Sequence, residues 1–113
     1  MSRAIGFDEF LAVELRVGRV TAAERLPEAR KPAYLLRVDF GPEIGTKRSS
    51  AQITKHYRPE ELVGRLVVAV VNLPPKRIGR FVSECLVTGF PDENGDVVLC
   101  VPDANVPPGA RLF

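Results

Sequence analysis

Apolar and polar residues alternate along most of this chain in short runs broken by Gly, Pro, Asn and Asp, a period-two pattern that predicts strands. In YLLRVDFG, Tyr34, Leu36, Val38 and Phe40 share one face while Arg37 and Asp39 point away. Val13, Leu15 and Val17 alternate, and Val20 continues on the opposite parity beyond Gly18, which predicts a β-bulge at the glycine. TKRSSAQIT (46–54) reads as a strand polar at nearly every position, carrying Lys47 and Arg48. LVVAVVN is continuously apolar and is therefore expected to be the most buried strand. ECLVTGF and DVVLCV flank PDENGD, whose Asn94-Gly95 predicts a hairpin.

Helical spacing is scarce. FDEFLAVEL (7–15) predicts a short helical turn with Phe7, Phe10 and Leu11 at helical spacing. RPEELVG (58–64) predicts one short helix, with Pro59 in the first turn, Glu60 and Glu61 behind it, and Gly64 closing it. The tail PDANVPPGARLF is Pro-rich but ends apolar, which predicts docking rather than fraying. Short antiparallel strands, a bent first strand and a helix between the third and fourth strands predict an all-β fold. Rolling a five-stranded sheet into a small barrel removes its exposed edges, and the position of the helix favours the OB-fold. The expectation is a five-stranded OB-fold barrel with N- and C-terminal extensions, forming a single domain over residues 1–113.

Composition adds an ordinary globular balance, 45% apolar and 27% charged. The longest apolar run, LVVAVV at 66–71, is strand-sized, so no membrane span is expected. MSRAIGFDEF has no apolar leader core, and Cys85 and Cys100 lie inside apolar strand patterns. Both features suggest a cytoplasmic chain with buried reduced thiols. Charge changes the picture more. Residues 30–80 hold eleven Lys and Arg against four Asp and Glu, while the rest holds five basic and ten acidic residues. Such segregation suits a polyanion-binding face on a near-neutral scaffold.

Catalytic chemistry is poorly supplied. His56 is the only histidine and sits in KHYR with no carboxylate beside it in sequence. GPEIGTK (41–47) has three residues between its glycines and Thr46 before Lys47, so it fails as a phosphate loop. Two cysteines and one histidine do not complete a zinc site. No enzyme activity, cofactor or metal is expected.

RVGRV (16–20), LLRVDFG (35–41), YRPEELVGRLVVAVVNLPPKRIG (57–79) and Ser83 resemble the tRNA-binding OB-fold family over roughly residues 7–113. That family includes appended domains of aminoacyl-tRNA synthetases and free-standing dimeric proteins. ARKPAYLLRVDFG, KRSSAQITKHYRPEELVG and SECLVTGF are most similar to its free-standing, export-related chaperones. This chain has Ser83-Glu84-Cys85-Leu86 where synthetase-appended members usually have Ser-x-Gly-Met.

OB-folds bind oligonucleotides on the face of strands two and three and through the loops joining strands one to two and four to five. The RNA-binding expectation therefore falls on Arg30 and Lys31, on Lys47, Arg48, Ser49, Ser50 and Gln52, and on Asn72, Lys76, Arg77, Arg80 and Ser83. Tyr57 and Phe81 are the only candidate exposed stackers, which favours backbone and shape recognition of structured, tRNA-like RNA over sequence-tolerant single strands. Leu73, Ile78, Phe81 and Val82 give the same loop an apolar character, read either as a peptide-binding patch for unfolded polypeptide or as loop anchors. The resemblance implies both tRNA binding and work on unfolded preproteins and the export machinery that handles them. The alternative is a chaperone for preproteins alone, with RNA binding lost. It also implies a homodimer, for which the apolar terminal segments are the expected interface.

Overall fold

The polar and apolar faces of the early strands sort themselves into a meander in the computed structural model, which describes residues 2–113. The elements are α1 (Phe7–Ala12), β1 (Leu15–Arg25), β2 (Tyr34–Asp39), β3 (Thr46–Ala51), α2 (Pro59–Leu62) and β4 (Leu66–Val70). There follow β5 (Lys76–Ile78), β6 (Phe81–Ser83), β7 (Leu86–Val87), β8 (Gly89–Pro91) and β9 (Val97–Leu99). The main antiparallel sheet has the order β3-β2-β1-β4-β7. Its two edges meet: the Glu84 N–H donates to the Arg48 carbonyl at 2.8 Å and the Ser50 N–H to Ser83 Oγ at 3.1 Å. A nearly closed five-stranded OB-type barrel results.

Inward-facing Val20, Leu36, Val38, Phe40, Leu62 and Val67 are all within 1% of full burial. Each such burial contributes about 1.5–3 kcal/mol. Leu62 reaches the core from α2, a single turn begun by Pro59 and closed at Gly64, whose φ of +93° favours glycine. The Glu61 carboxylate accepts the Arg58 N–H at 2.9 Å and caps that turn.

The bulge falls at Thr21 rather than at Gly18. Val20 pairs with Val38 and Ala22 with Arg37, leaving Thr21 as the extra residue. Inward parity accordingly changes from Gly18 and Val20 to Ala23 across it. Gly18 has another purpose: a Cβ there would lie 2.4 Å from Val38 Cγ1 and 2.7 Å from Phe40 Cε1, so the core packs directly on its backbone. The parity change at Val17 arises because β1 is covered on both faces. Val17, Val68 and Val70 are buried on the face opposite the barrel core, so β4 is buried on both sides, as its unbroken apolar pattern predicts.

The tail docks along the half of β1 that β2 leaves free. Val17 N–H donates to the Ala110 carbonyl at 2.9 Å and Leu112 N–H to the Leu15 carbonyl at 2.8 Å. The Arg111 guanidinium donates to the Leu11 carbonyl, joining the tail to α1. Docking stops at Leu112, because Phe113 is 96% exposed. No helix among the described residues is long and apolar enough to cross a membrane.

Candidate nucleic-acid interface

The connection from β4 to β7 is a two-stranded ribbon, not an irregular loop. Ile78 pairs with Phe81 across Gly79-Arg80, and Gly79 takes φ +61° while no other residue of the turn is positive. Gly at the first central position is the signature of a type II′ hairpin turn. Ribbon pairing sets side chains alternately, so Ile78 and Phe81 share one face and Arg77 and Val82 the other. Phe81, Leu26 and Ala33 are buried together, with Ala29, Leu35 and Ile78 packed against them. The apolar side chains of this segment thus dock the ribbon on the β1–β2 connection. Of the two readings open for Phe81, exposed contact or loop anchor, the fold takes the second.

That docking brings the two cationic connections face to face. Between them lies an open cleft of about 570 Å³, walled by Arg30 and Lys31 on one side and Lys76 and Arg77 on the other. Ser50 and Gln52, on the outward face of β3 and just beyond it, line the cleft as well, together with Glu28, Ala29, Ile78 and Gly79. None of these cations has a carboxylate within 4 Å among the described residues, so their charge is available to a ligand. A neighbouring depression of about 410 Å³ holds Arg25, Arg48 and Arg80 together with Glu24 and Glu28. Exposed Arg37 pairs directly with Arg48 across β2 and β3. Arg25 and Arg37 were absent from the expected set. Arg37 carried a signal, since it alternates outward on the very strand whose outer face such folds use; Arg25 carried none, standing at the end of a long strand outside the basic stretch.

Several expected contacts are occupied by the fold. Ser49 is wholly buried, with its hydroxyl 3.2 Å from the Ser50 carbonyl, because it falls on the inward face of β3. Lys47 shares that inward parity, opposite Val38, and lines neither cleft. Asn72 fastens the N-terminal segment to the end of β4, accepting from Glu14 N–H at 2.9 Å and donating to the Ala12 carbonyl at 2.7 Å. Ser83 Oγ accepts the Ser50 N–H at the barrel seam. Tyr57 is spent as well: its hydroxyl accepts the Leu99 N–H at 3.0 Å, and the Arg65 guanidinium lies 5.2 Å from its ring centroid.

Arg48 serves the seam and the anchor together. Its guanidinium lies 5.5 Å from the Phe81 ring centroid and its Nε 3.3 Å from Glu84 Oε1. The Arg48 backbone N–H, reinforced by its guanidinium, holds the Glu84 carboxyl below the usual glutamate range. A depressed carboxyl favours the folded state above the ordinary glutamate value and loses that contribution as pH falls through the folded pKa. The pair is part-exposed, so its contribution is discounted to below about 1 kcal/mol. Glu84→Gln should therefore lower stability slightly at neutral pH and flatten the acid limb of a pH–stability curve measured by urea unfolding.

The remaining apolar candidates separate. Leu73 is exposed and lines an apolar groove of about 380 Å³ with Pro74, Cys85 and Leu86, a residue not expected there. Val82 is half-buried on the ribbon face opposite Phe81. Burial pushes the Cys85 thiol up to about 11, which leaves it protonated and inert at neutral pH. His56 gains a carboxylate that the sequence did not place beside it. Its Nε2 lies 2.7 Å from Asp92 Oδ2, tying the turn before α2 to the β8–β9 hairpin. Asp96 also lies close, the three ligand atoms being within 4.8 Å of one another. Asp92 Oδ1 accepts the Asn94 and Asp96 amides, so both its oxygens are engaged within the hairpin and its tie.

Comparison with known proteins matches residues 15–111 to the family described as "Putative tRNA binding domain". The crystal structure of chaperone CsaA from Bacillus anthracis str. Ames superposes with a TM-score of 0.91 at 52% identity, covering 98% of this chain and 100% of that one. CsaA chaperone protein from Picrophilus torridus superposes at 0.90 with 43% identity, covering 97% and 100%. Among curated sequences, a methionine–tRNA ligase of Methanothrix thermoacetophila is 48% identical over 109 residues, 96% of this chain but 15% of the ligase. The chain thus spans about one-seventh of the length of the curated relatives it matches.

Proposed function

This chain belongs to the tRNA-binding domain family, and from that premise we propose that it binds tRNA or tRNA-like structured RNA without chemical turnover, acting as one domain in the cytoplasm. The observation that carries the reading is the meeting of Arg30, Lys31, Lys76 and Arg77, none with an ion-pair partner among the described residues, around Ser50 and Gln52. Cations without ion-pair partners bind phosphates and release counterions, while the polar floor offers hydrogen bonds to ribose and base edges. No aromatic side chain among the described residues lines the cleft, and Phe81 and Tyr57 are both engaged elsewhere. Affinity then comes mainly from the spacing of phosphates, without aromatic stacking of successive bases.

A second reading, action as a homodimeric chaperone of preproteins destined for export, is favoured by the exposed Leu73 and Leu86 beside Pro74. It also draws on the likeness to structures described as chaperones. An apolar groove next to cations suits an unfolded segment with acidic flanks. One competition experiment tests both readings. Labelled tRNA is bound at low salt and challenged with unlabelled tRNA or a chemically unfolded, reduced polypeptide. Displacement by tRNA alone supports RNA binding with a separate or absent peptide surface, and displacement by both supports a shared one. No tRNA binding contradicts the first reading. Leu73→Ser with Leu86→Ser should reduce suppression of aggregation several-fold and leave tRNA affinity within about twofold, since neither side chain lines the cationic cleft.

A further inference from the structure

The polyanion cleft contains a carboxylate. Glu28 lines it beside Arg30 and Lys31, and lines the neighbouring arginine-rich depression as well. No cation lies within 4 Å of its carboxylate among the described residues, so ion pairing does not account for it. A free negative charge there repels phosphate and lowers affinity for any polyanion. Its stem is fixed by the fold: a Cβ on Gly79 would lie 2.9 Å from Glu28 Cβ and Cγ, so the ribbon turn packs directly against it. Ala29, the next residue, packs in the cluster that anchors the ribbon. The Glu28 stem is thereby packed against the ribbon turn, on the same wall of the cleft as Arg30 and Lys31.

Resting on the RNA-binding reading above, we propose that this cleft takes one unpaired nucleotide and that Glu28 selects guanine there. A cleft of about 570 Å³ falls within the ~300–1,000 Å³ range that accommodates one ligand-sized group. The apolar sides of Ala29 and Ile78 offer a surface to the base, and the flanking phosphates meet the lysines and arginines. A carboxylate is an acceptor only, so it discriminates by the donors a base presents. Guanine alone carries adjacent donors on its pairing edge, N1–H and the exocyclic N2 amino group. Cytosine and adenine pair an amino group with a ring-nitrogen acceptor, and uracil sets a single N–H between carbonyls that repel a carboxylate. Gln52 and Ser50, as donors, suit the guanine O6.

The test is fluorescence anisotropy on the full chain with labelled hexauridylates in which the third nucleoside is uridine, guanosine or inosine, alongside labelled tRNA in the same low-salt buffer. Inosine is guanosine without the exocyclic amino group. Wild-type protein should bind the guanosine oligomer about fivefold or more tightly than the uridine one, with inosine between them. Glu28→Gln preserves the shape of an exposed side chain. It should bring the three oligomers to equal affinity while strengthening the uridine oligomer and tRNA modestly, because a repelling charge has gone. A purely electrostatic Glu28 would strengthen all three equally and keep their ranking. Equal binding of guanosine and inosine oligomers by the wild type, or a guanosine preference that survives Glu28→Gln, would overturn the proposal. Normal tRNA binding with no oligomer binding also overturns it and leaves the RNA-binding reading standing. Absence of tRNA binding as well would remove both.

Discussion

Replacing Lys76 and Arg77 together with Ala should weaken tRNA binding by at least about tenfold at low salt and make the salt dependence of affinity shallower. Each phosphate neutralised contributes about 0.7–0.9 to the slope of log affinity against log salt, so the slope should fall by about one to two. Both side chains stand on the exposed edge of the β5–β6 ribbon and line the cleft, and neither is engaged with a carboxylate among the described residues. Their removal therefore takes away ligand contacts without disturbing an internal interaction. Unchanged stability in urea would confirm that the ribbon stays docked. Affinity measured across a salt series checks the prediction, and a slope equal to wild type would contradict it.

The largest effect on the scaffold of the site is expected from Phe81→Ala. Phe81 is 4% exposed and is the bulkiest buried member of a cluster with Leu26 and Ala33. Truncating a buried Phe costs about 3–5 kcal/mol, and the low end applies here because a small cluster near the surface relaxes more readily than the barrel core. The substitution also removes the ring beneath the Arg48 guanidinium. With the anchor gone, the ribbon no longer holds Lys76 and Arg77 opposite Arg30 and Lys31. Affinity for tRNA should fall although no charge has been removed, and the salt slope should stay closer to wild type than in the double cation variant. Stability within about 0.5 kcal/mol of wild type would contradict the anchoring role.

These two residue sets show what was legible in the sequence. Period-two alternation in β2, the unbroken apolar run of β4, Pro59 and Gly64 around α2 and the polar outer face of β3 were enough for an OB-type barrel. They also sufficed to bring the cationic segments near one another, because barrel topology converts sequence position into spatial position. What escaped depended on facts that alternation does not encode. Gly18 looked like a bulge because burial on both faces of β1 imitates a parity change, while the true bulge at Thr21 has no special residue type. Ser49 reads as a polar surface residue until β3 is registered against β2, where it falls opposite core Leu36. Phe81 was legible only in part. Its apolar character was plain, but its partners Leu26 and Ala33 lie some fifty residues earlier. The Gly79-Arg80 turn was a readable signal, since Gly-X between short alternating runs is a hairpin pattern. The tie between His56 and Asp92 is a contact across 36 positions that no local pattern announces.

RNA is proposed to enter between the β1–β2 connection and the β5–β6 ribbon. Backbone amide chemical shifts of the full chain, followed by NMR while an unlabelled tRNA is titrated in at low salt, test it most directly. The largest perturbations are expected at residues 28–31, 50–52 and 76–79, the three segments that line the cleft. Perturbations centred instead on the docked tail and α1, or on the β8–β9 hairpin, with those three segments unmoved, would contradict it.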